Sequence, residues 1–310
     1  MARRIKEMAK ARGAAIMLAL WALFLLSAML ISWALDIDTR LKNAGNANRV
    51  LEAVAMACSG AEVALHSAVQ PGASVLKGSL GPNQSFEARI TGEGGRINLN
   101  WLVAPPDNPV RHEFLRKYLE VKGIDLNERD HMIDCLLDWV DPENLVRLNG
   151  AEDDPGYKPA NKPLTSLEEL RRVRGWEEFT SMPDWDADMT LKSTGVIDMA
   201  WATRDVLLAL PGLTQNRVDQ FLSVRGGPDQ IEGTEDDVKF TSPDDLMLAL
   251  GLPKALFDEL TRSGLIVTSP EANPVWRVVS VGKSGTVTRT VRMVFNKSGT
   301  SVLLRSWKEF

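Results

Sequence analysis

The apolar positions change character along the chain. From Ala14 to Leu35 no residue is charged, and Leu, Ile, Met, Ala, Phe and Trp cover every helical face. Such a run is long enough to cross a hydrocarbon core of ~30 Å. Beyond it the pattern becomes one-sided. Ala44, Ala47, Leu51, Val54, Ala57, Ala61, Leu65 and Ala68 recur at spacings of three and four, which is an apolar stripe on a helix. Pro71-Gly72 ends it. The two stretches predict one helix over residues 14–70, roughly 80 Å long at ~1.5 Å per residue. A stripe of such small side chains suits packing on a sheet better than a coiled-coil stalk.

After the helix the period changes. Phe86, Ala88 and Ile90 alternate with polar residues, and Gly94-Gly95 marks a turn, so the stretch from Ser85 to Leu102 reads as a hairpin. Residues 105–265 return to helical spacing, with segments at Arg111–Lys122, Glu128–Trp139, Ser166–Arg174, Arg204–Leu210, Gln215–Arg225 and Ser242–Leu250. From Leu265 to Trp307 the pattern is β again: "WRVVSVG", "TRTVRMVF" and "TSVLLRSW" are separated by glycine turns. This order predicts a sheet built from 71–104 and 266–310, with 105–265 inserted into it as a helical domain.

Charge adds orientation. The chain carries 36 Lys+Arg and 41 Asp+Glu, −5 overall. Arg3, Arg4, Lys6, Lys10 and Arg12 precede the apolar run against the single acid Glu7. That places the N-terminus in the cytoplasm and leaves a body too acidic to favour phosphate backbones. The apolar run is longer than the ~7–15 residues of a secretory signal, and its end, Ile31-Ser32-Trp33-Ala34-Leu35, is a poor cleavage site. A single-pass anchor with an external domain is the reading that follows. Cys58 and Cys135 are too few for a disulfide framework; one bridge and two separate buried thiols are both open.

Candidate chemistry is sparse. His66, His112 and His131 lack ligand spacing, and no HExxH, Walker, GxSxG or dinucleotide motif occurs. Glu168-Glu169 reads as a solvated helix surface. No enzyme is expected. Two acidic loops stand out. Asp138, Asp141 and Glu143 follow a helix, and Glu152, Asp153 and Asp154 follow a Leu-Asn-Gly turn. Together they could supply the ~6–8 oxygens that Ca²⁺ takes; the plain alternative is a solvated loop capping backbone amides. "GPDQIEGTEDDV" sets Asp229, Glu232, Glu235, Asp236 and Asp237 among glycines, without the spacing or final glutamate of an EF-hand. Finally, "LPGLTQNRVDQFLSVR" looks like a helix-hairpin-helix, a motif that holds DNA phosphate at a helix N-terminus. It raises an alternative function, a membrane-anchored DNA-binding or DNA-uptake protein. Its nearby bases are Arg217 and Arg225, offset by Asp219 and Asp229.

A short basic leader ending Arg12-Gly13 directly before the apolar helix resembles the type IV pilin and type II secretion pseudopilin class. The strings "GEGGRINLN", "LLDWVDPENLVRLNGAEDDPGYKPANKPLTSLEELRRVRG" and "LLALPGLTQNRVDQFLSVRGG" resemble, in consistent order, one branch of it: the minor pseudopilin family called general secretion pathway protein K. The resemblance implies an α+β pilin-like fold, a long N-terminal helix packed on an antiparallel sheet, with a large inserted α-helical domain. It implies a leader at 1–13, prepilin-peptidase cleavage between Gly13 and Ala14 with methylation of the new terminus, and a fifth mature position at Leu18. Most of the class has glutamate there, and protein K typically lacks it. It also implies a non-enzymatic place at the tip of the secretion pseudopilus, supporting filament initiation and export of folded proteins across the outer membrane. The implied partners are other minor pseudopilins, the major pseudopilin, the peptidase, secreted proteins and the inner membrane. The main domain would be periplasmic and nucleic acid would be no partner. Because the inserted domain of protein K can bind calcium, the resemblance favours the metal reading at Asp138, Asp141, Glu143, Glu152, Asp153 and Asp154, and at Asp229, Glu235, Asp236 and Asp237.

Overall fold

The computed structural model describes residues 2–268, 274–298 and 301–310, with side chains from residue 16 onward except 269–273 and 298–300. It opens with helix α1, Ala2–Leu65. Along Ile16–Leu35 its large apolar side chains are all exposed, a state water disfavours and a bilayer satisfies. This stretch is long and apolar enough to cross a membrane.

The C-terminal part of α1 packs on a five-stranded antiparallel sheet. Its strands are β1 (Lys77–Gly81), β2 (Gln84–Gly92), β7 (Val275–Ser284), β8 (Val287–Ser298) and β9 (Ser301–Glu309), in that spatial order. "WRVVSVG" and "TRTVRMVF" lie in β7 and β8, and "SVLLRSW" of the third string lies in β9. The predicted stripe is turned about the helix axis. Ala53, Met56, Ala57, Ala61 and Ala64 are buried, whereas Leu51 is 68% exposed. The reason is backbone contact. A Cβ on Gly282 would stand 2.1 Å from the Ala53 carbonyl, and one on Gly60 would stand 2.4 Å from Ser280 Oγ. Helix and strand approach too closely for a leucine, so the helix turns its smallest face inward.

Strands β2 and β7 are neighbours, paired from Gln84↔Ser284 to Gly92↔Trp276, yet the described residues between Gly92 and Val275 lie outside this sheet. Without that excursion the sheet would be a plain meander. The excursion contains β3 (Ile97–Asn98), α2 (Leu99–Leu102), α3 (Pro109–Val121), α4 (Leu126–Val140), α5 (Glu177–Ser181), β4 (Met189–Thr190), β5 (Ile197–Asp198), α6 (Arg204–Ala209), α7 (Gln215–Arg225), α8 (Pro243–Ala249), α9 (Lys254–Arg262) and β6 (Ile266–Val267). Short 3₁₀ turns cover Glu93–Gly95 and Leu167–Arg172. The excursion has its own core around Phe114, Tyr118, Trp139, Trp176, Phe179 and Phe221. The α1–sheet core, with Ala57, Ala61, Ile90, Val278 and Phe295, is separate. The fold is therefore α+β, pilin-like, with an inserted helical domain.

The hairpin read over Ser85–Leu102 is not formed. After Gly92 the chain turns away, and Ile97–Asn98 pairs in parallel with Met189–Thr190. A Cβ on Gly95 would stand 2.1 Å from the Trp201 carbonyl, so this glycine admits the inserted domain rather than making a hairpin turn. Glu93, 1% exposed, receives both Arg277 Nε (2.7 Å) and Nη2 (2.8 Å). Arg277 also donates to the Ala187 and Met189 carbonyls. This bidentate pair joins sheet to insertion, and its satisfied donors offset the desolvation that a buried pair incurs.

Candidate functional site

The strongest concentration of unusual polar groups lies where α4 ends. Asp138 and Asp141, three residues apart, fall on one face of the last turn. Carboxylates are unfavourable at a helix C-terminus, so this pair needs a cation. The following loop folds back and supplies one: Arg147 Nη1 donates to Asp138 Oδ1 (2.9 Å) and to Asp141 Oδ2, and Nη2 reaches Asp107 (3.3 Å). The Arg147 backbone N–H donates to the other Asp138 oxygen at 3.2 Å. Gly150 lets the loop pass this close, since a Cβ there would stand 1.9 Å from Asp138 Oδ2. Glu143 accepts the Leu145 N–H, and Asp134 accepts both Asn149 N–H groups.

One guanidinium does not exhaust this cluster. Glu152 is 7% exposed and neither of its carboxylate oxygens has a hydrogen-bond partner. Burial, and then the charges of Asp138, Asp141 and Glu143, push its pKa up to about 7. Asp141 Oδ1 and Asn161 Oδ1 are likewise buried and unpartnered, and burial raises the Asp141 pKa. Asn161 sits in the left-handed region at φ 47°, its amide donating to Asn144 (2.7 Å) and the Glu143 carbonyl (3.4 Å). Orphaned buried oxygens are costly, and a set made only of oxygens is what a hard divalent cation takes. By donor chemistry the residues fit such an ion. Among the described residues no three acidic, His or Cys side chains are gathered tightly enough to enclose one as they stand. Asp153 and Asp154 are both exposed, and Asp154 pairs with Arg174.

The second acidic loop is wired differently. Asp236 accepts the Asp229 N–H (3.1 Å) and the Thr234 hydroxyl (2.7 Å), Asp229 accepts the Ile231 N–H (2.7 Å), and Asp237 accepts the Gly233 N–H (2.7 Å). These bonds hold the Asp236 carboxyl below its ordinary pKa, whereas burial raises that of Asp237. Glu232 pairs with Arg225 at 2.6 Å. Glu235 lines a cleft with Trp201, Phe240 and Trp276. The loop sits on the chain just after α1, where a Cβ on Gly72 would stand 2.4 Å from Thr234.

The helix-hairpin-helix reading fails on its bases. Arg225 is 3% exposed and donates to the Met199 and Ala202 carbonyls, and Arg217 turns back to the Gly212 carbonyl. Arg225 is therefore not presented to a phosphate, which leaves a single half-exposed base, too few for a phosphate-binding face. Cys58 and Cys135 are both free thiols, Cys58 half-buried and Cys135 buried. Leu18 is exposed on α1. Gly13 and Ala14 lie within α1, but their side chains fall outside the described residues. Sequence reasoning missed Arg147 and Asn161. A signal for Arg147 existed: it is the lone base between the acids of 138–143 and those of 152–154.

Comparison with known proteins bears on the same segment. A family model described as type II secretion system (T2SS), protein K matches residues 95–181, which include α4 and the first acidic loop. A type II secretion system protein K of Dickeya chrysanthemi is 34% identical over 71 residues, 22% of this chain and 20% of that protein. One of Klebsiella pneumoniae is 32% identical over 101 residues, 29% of this chain and 31% of that protein. The matched stretches thus span well under half of either relative. The crystal structure of the GspK-GspI-GspJ complex from enterotoxigenic Escherichia coli shares the fold, with a TM-score of 0.55 over 87% of this chain and 99% of that one, at 15% identity. These findings make residues 95–181 similar to protein K of type II secretion systems, and the fold of the chain similar to that of a chain in the GspK-GspI-GspJ complex. Nothing in them supports the DNA-binding alternative. The apolar stretch of α1 from Ile16 is compatible with a transmembrane anchor.

Proposed function

We propose that this chain is the minor pseudopilin at the tip of a type II secretion pseudopilus. It is held in the inner membrane by α1, with a cytoplasmic N-terminus and a periplasmic domain, and it helps to start the filament and export folded proteins. The observation that carries this is the division of α1: from Ile16 to Leu35 it is exposed and apolar, and its C-terminal part packs on a sheet interrupted by one bulky domain. Pilin-type subunits stack head-to-tail, an arrangement that continues until something closes it. An inserted domain obstructs a subunit above. Leu18 cannot pair with the charged terminal amine of a neighbour, a charge that is costly within a membrane unless it is paired. Both features favour a cap. The fold shared with a chain of the GspK-GspI-GspJ complex motivates other minor pseudopilins as partners, with the major pseudopilin and secreted proteins beyond them.

In this reading prepilin peptidase cuts between Gly13 and Ala14, and the new terminus is methylated. N-terminal sequencing of membrane-extracted protein tests it; a mature start beyond Leu35 would overturn the pilin assignment. Quantitative cross-linking of sheared filaments tests position, with about one copy per filament end expected from heterologous stacking with a cap. Copies distributed along the shaft would refute it. Asp138, Asp141 and Glu152, with Glu143 and Asn161 beside them, are the groups that would hold Ca²⁺. The ion would supply the positive charge that the buried Glu152 carboxylate lacks.

A further inference from the structure

We propose that Arg147 is a built-in competitor for the first acidic loop: a divalent cation enters only as the guanidinium leaves, so Arg147 sets the site's affinity and ties its occupancy to the loop around it. This rests on the calcium reading above and deepens it.

Three observations carry it. The first is shared ligands. Arg147 Nη1 is bonded to both Asp138 and Asp141, the two carboxylates that helix spacing brings together, and a guanidinium seated between them repels a second cation approaching the same pair. The second is incomplete neutralisation. Glu152 is 7% exposed with both oxygens unpartnered, and Asp141 Oδ1 is unpartnered too, so one fixed positive charge leaves acceptors that a more highly charged ion can use. The third is a loop able to move. Leu145, Val146 and Leu148 are 77%, 61% and 97% exposed. No apolar burial fastens the loop; it is held by polar contacts alone, those of Arg147, the Asn149–Asp134 bonds, the His131 contact with the Asn149 carbonyl and the Asn161 bonds to Asn144 and the Glu143 carbonyl. Segments with few buried apolar contacts open at low cost.

Competition has a quantitative signature. If the cation-competent state is the one with Arg147 withdrawn, apparent affinity is reduced by the fraction of time that state is populated. Removing the guanidinium then tightens binding. Occupancy also frees Arg147, and the Arg147–Leu148 bond is a trypsin site next to a residue that is 97% exposed. The experiment uses the full chain in detergent micelles. Calorimetric titration with Ca²⁺ compares the native chain with Arg147→Gln and Arg147→Lys. Limited trypsinolysis of the native chain, with and without Ca²⁺, is read by mass spectrometry as cleavage after Arg147 relative to cleavage at other basic residues. We expect Arg147→Gln to bind Ca²⁺ about tenfold more tightly or better, with Arg147→Lys between it and the native chain. We expect Ca²⁺ to speed relative cleavage after Arg147. Native binding with unchanged or slower cleavage after Arg147 would overturn the competition and leave the calcium reading intact. That outcome is decisive even if Arg147→Gln fails to fold. Equal affinity in a folded Arg147→Gln would overturn it too. No heat of binding in either the native chain or Arg147→Gln would instead remove the calcium reading itself, and the competition with it.

Discussion

The two acidic loops have similar compositions and opposite wiring. In the loop after α7, carboxylates accept backbone N–H groups of the loop itself and the Thr234 hydroxyl, and Glu232 neutralises Arg225. Apart from the exposed Glu235, these acids are answered locally, and the loop seats the inserted domain against the chain that follows α1. In the loop after α4, one arginine answers several acids, and the buried Glu152 has no partner at all. The first is built to be complete without a ligand; the second holds unsatisfied oxygens, which natural structures keep only for a reason. Counting acids does not separate them, whereas counting hydrogen-bond partners does.

The contrast can be broken by mutation. Asp138→Ala removes a fully buried carboxylate from under Arg147. It should cost about 3 kcal/mol, as breaking a buried pair does, read as a urea midpoint shift of the metal-free protein. Asp236→Ala should cost clearly less; equal losses would erase the distinction between the loops. Calcium sharpens it further. Ca²⁺ at 100 times its Kd should stabilise the native chain by about 2.7 kcal/mol through mass action. Melting in Ca²⁺ against EGTA should show the gain lost in Asp141→Asn and kept in Asp236→Asn and Asp237→Asn. Loss in the second pair would move the site.

The pH dependence of the metal-free protein isolates Glu152. Its folded pKa of about 7 lies above the ordinary glutamate value of 4.5, so between those values the folded state binds more protons than the unfolded. By linkage this group's contribution to stability falls as pH rises from about 4.5 to about 7. Glu152→Gln should remove that slope, measured as the difference in urea midpoints between pH 5 and pH 7.5 in EGTA. A slope equal to that of the native chain would mean another group titrates there. The smallest effect is expected from Glu232→Gln. Glu232 is half exposed and Arg225 keeps the Met199 and Ala202 carbonyls, so the loss should stay below about 1 kcal/mol, seen as a near-unchanged melt.

Much of the fold was legible because period reports burial. The span from Ala14 to Leu35 reads as a membrane-length helix at sight, Gln215–Arg225 was placed with the ends that α7 has, and the alternation in "WRVVSVG" and "TRTVRMVF" identifies strands buried on one face. The acidic loops were legible as composition only. Their difference depends on which backbone N–H groups and which single arginine reach each carboxylate, a matter of loop path rather than residue type.

What the sequence by itself determined is local: a long helix that is apolar all round and then apolar on one face, late strands, helices between, and two acid-rich loops. Apolar spacing and turn residues act over a few positions, so the chain carries them openly. What only the tertiary structure decided is which groups meet across distance. It turned α1 to its alanine face because Gly282 lets the strand backbone touch that of the helix and Gly60 makes room for Ser280 and Phe86. It sent residues 93–98 into the inserted domain instead of a hairpin, because Gly95 lies against Trp201 and Glu93 against Arg277. It also left Glu152 buried without a partner while Arg147 was drawn to Asp138 and Asp141. Close approach and charge pairing are set by packing between segments far apart in the chain, and no spacing rule along the sequence encodes them.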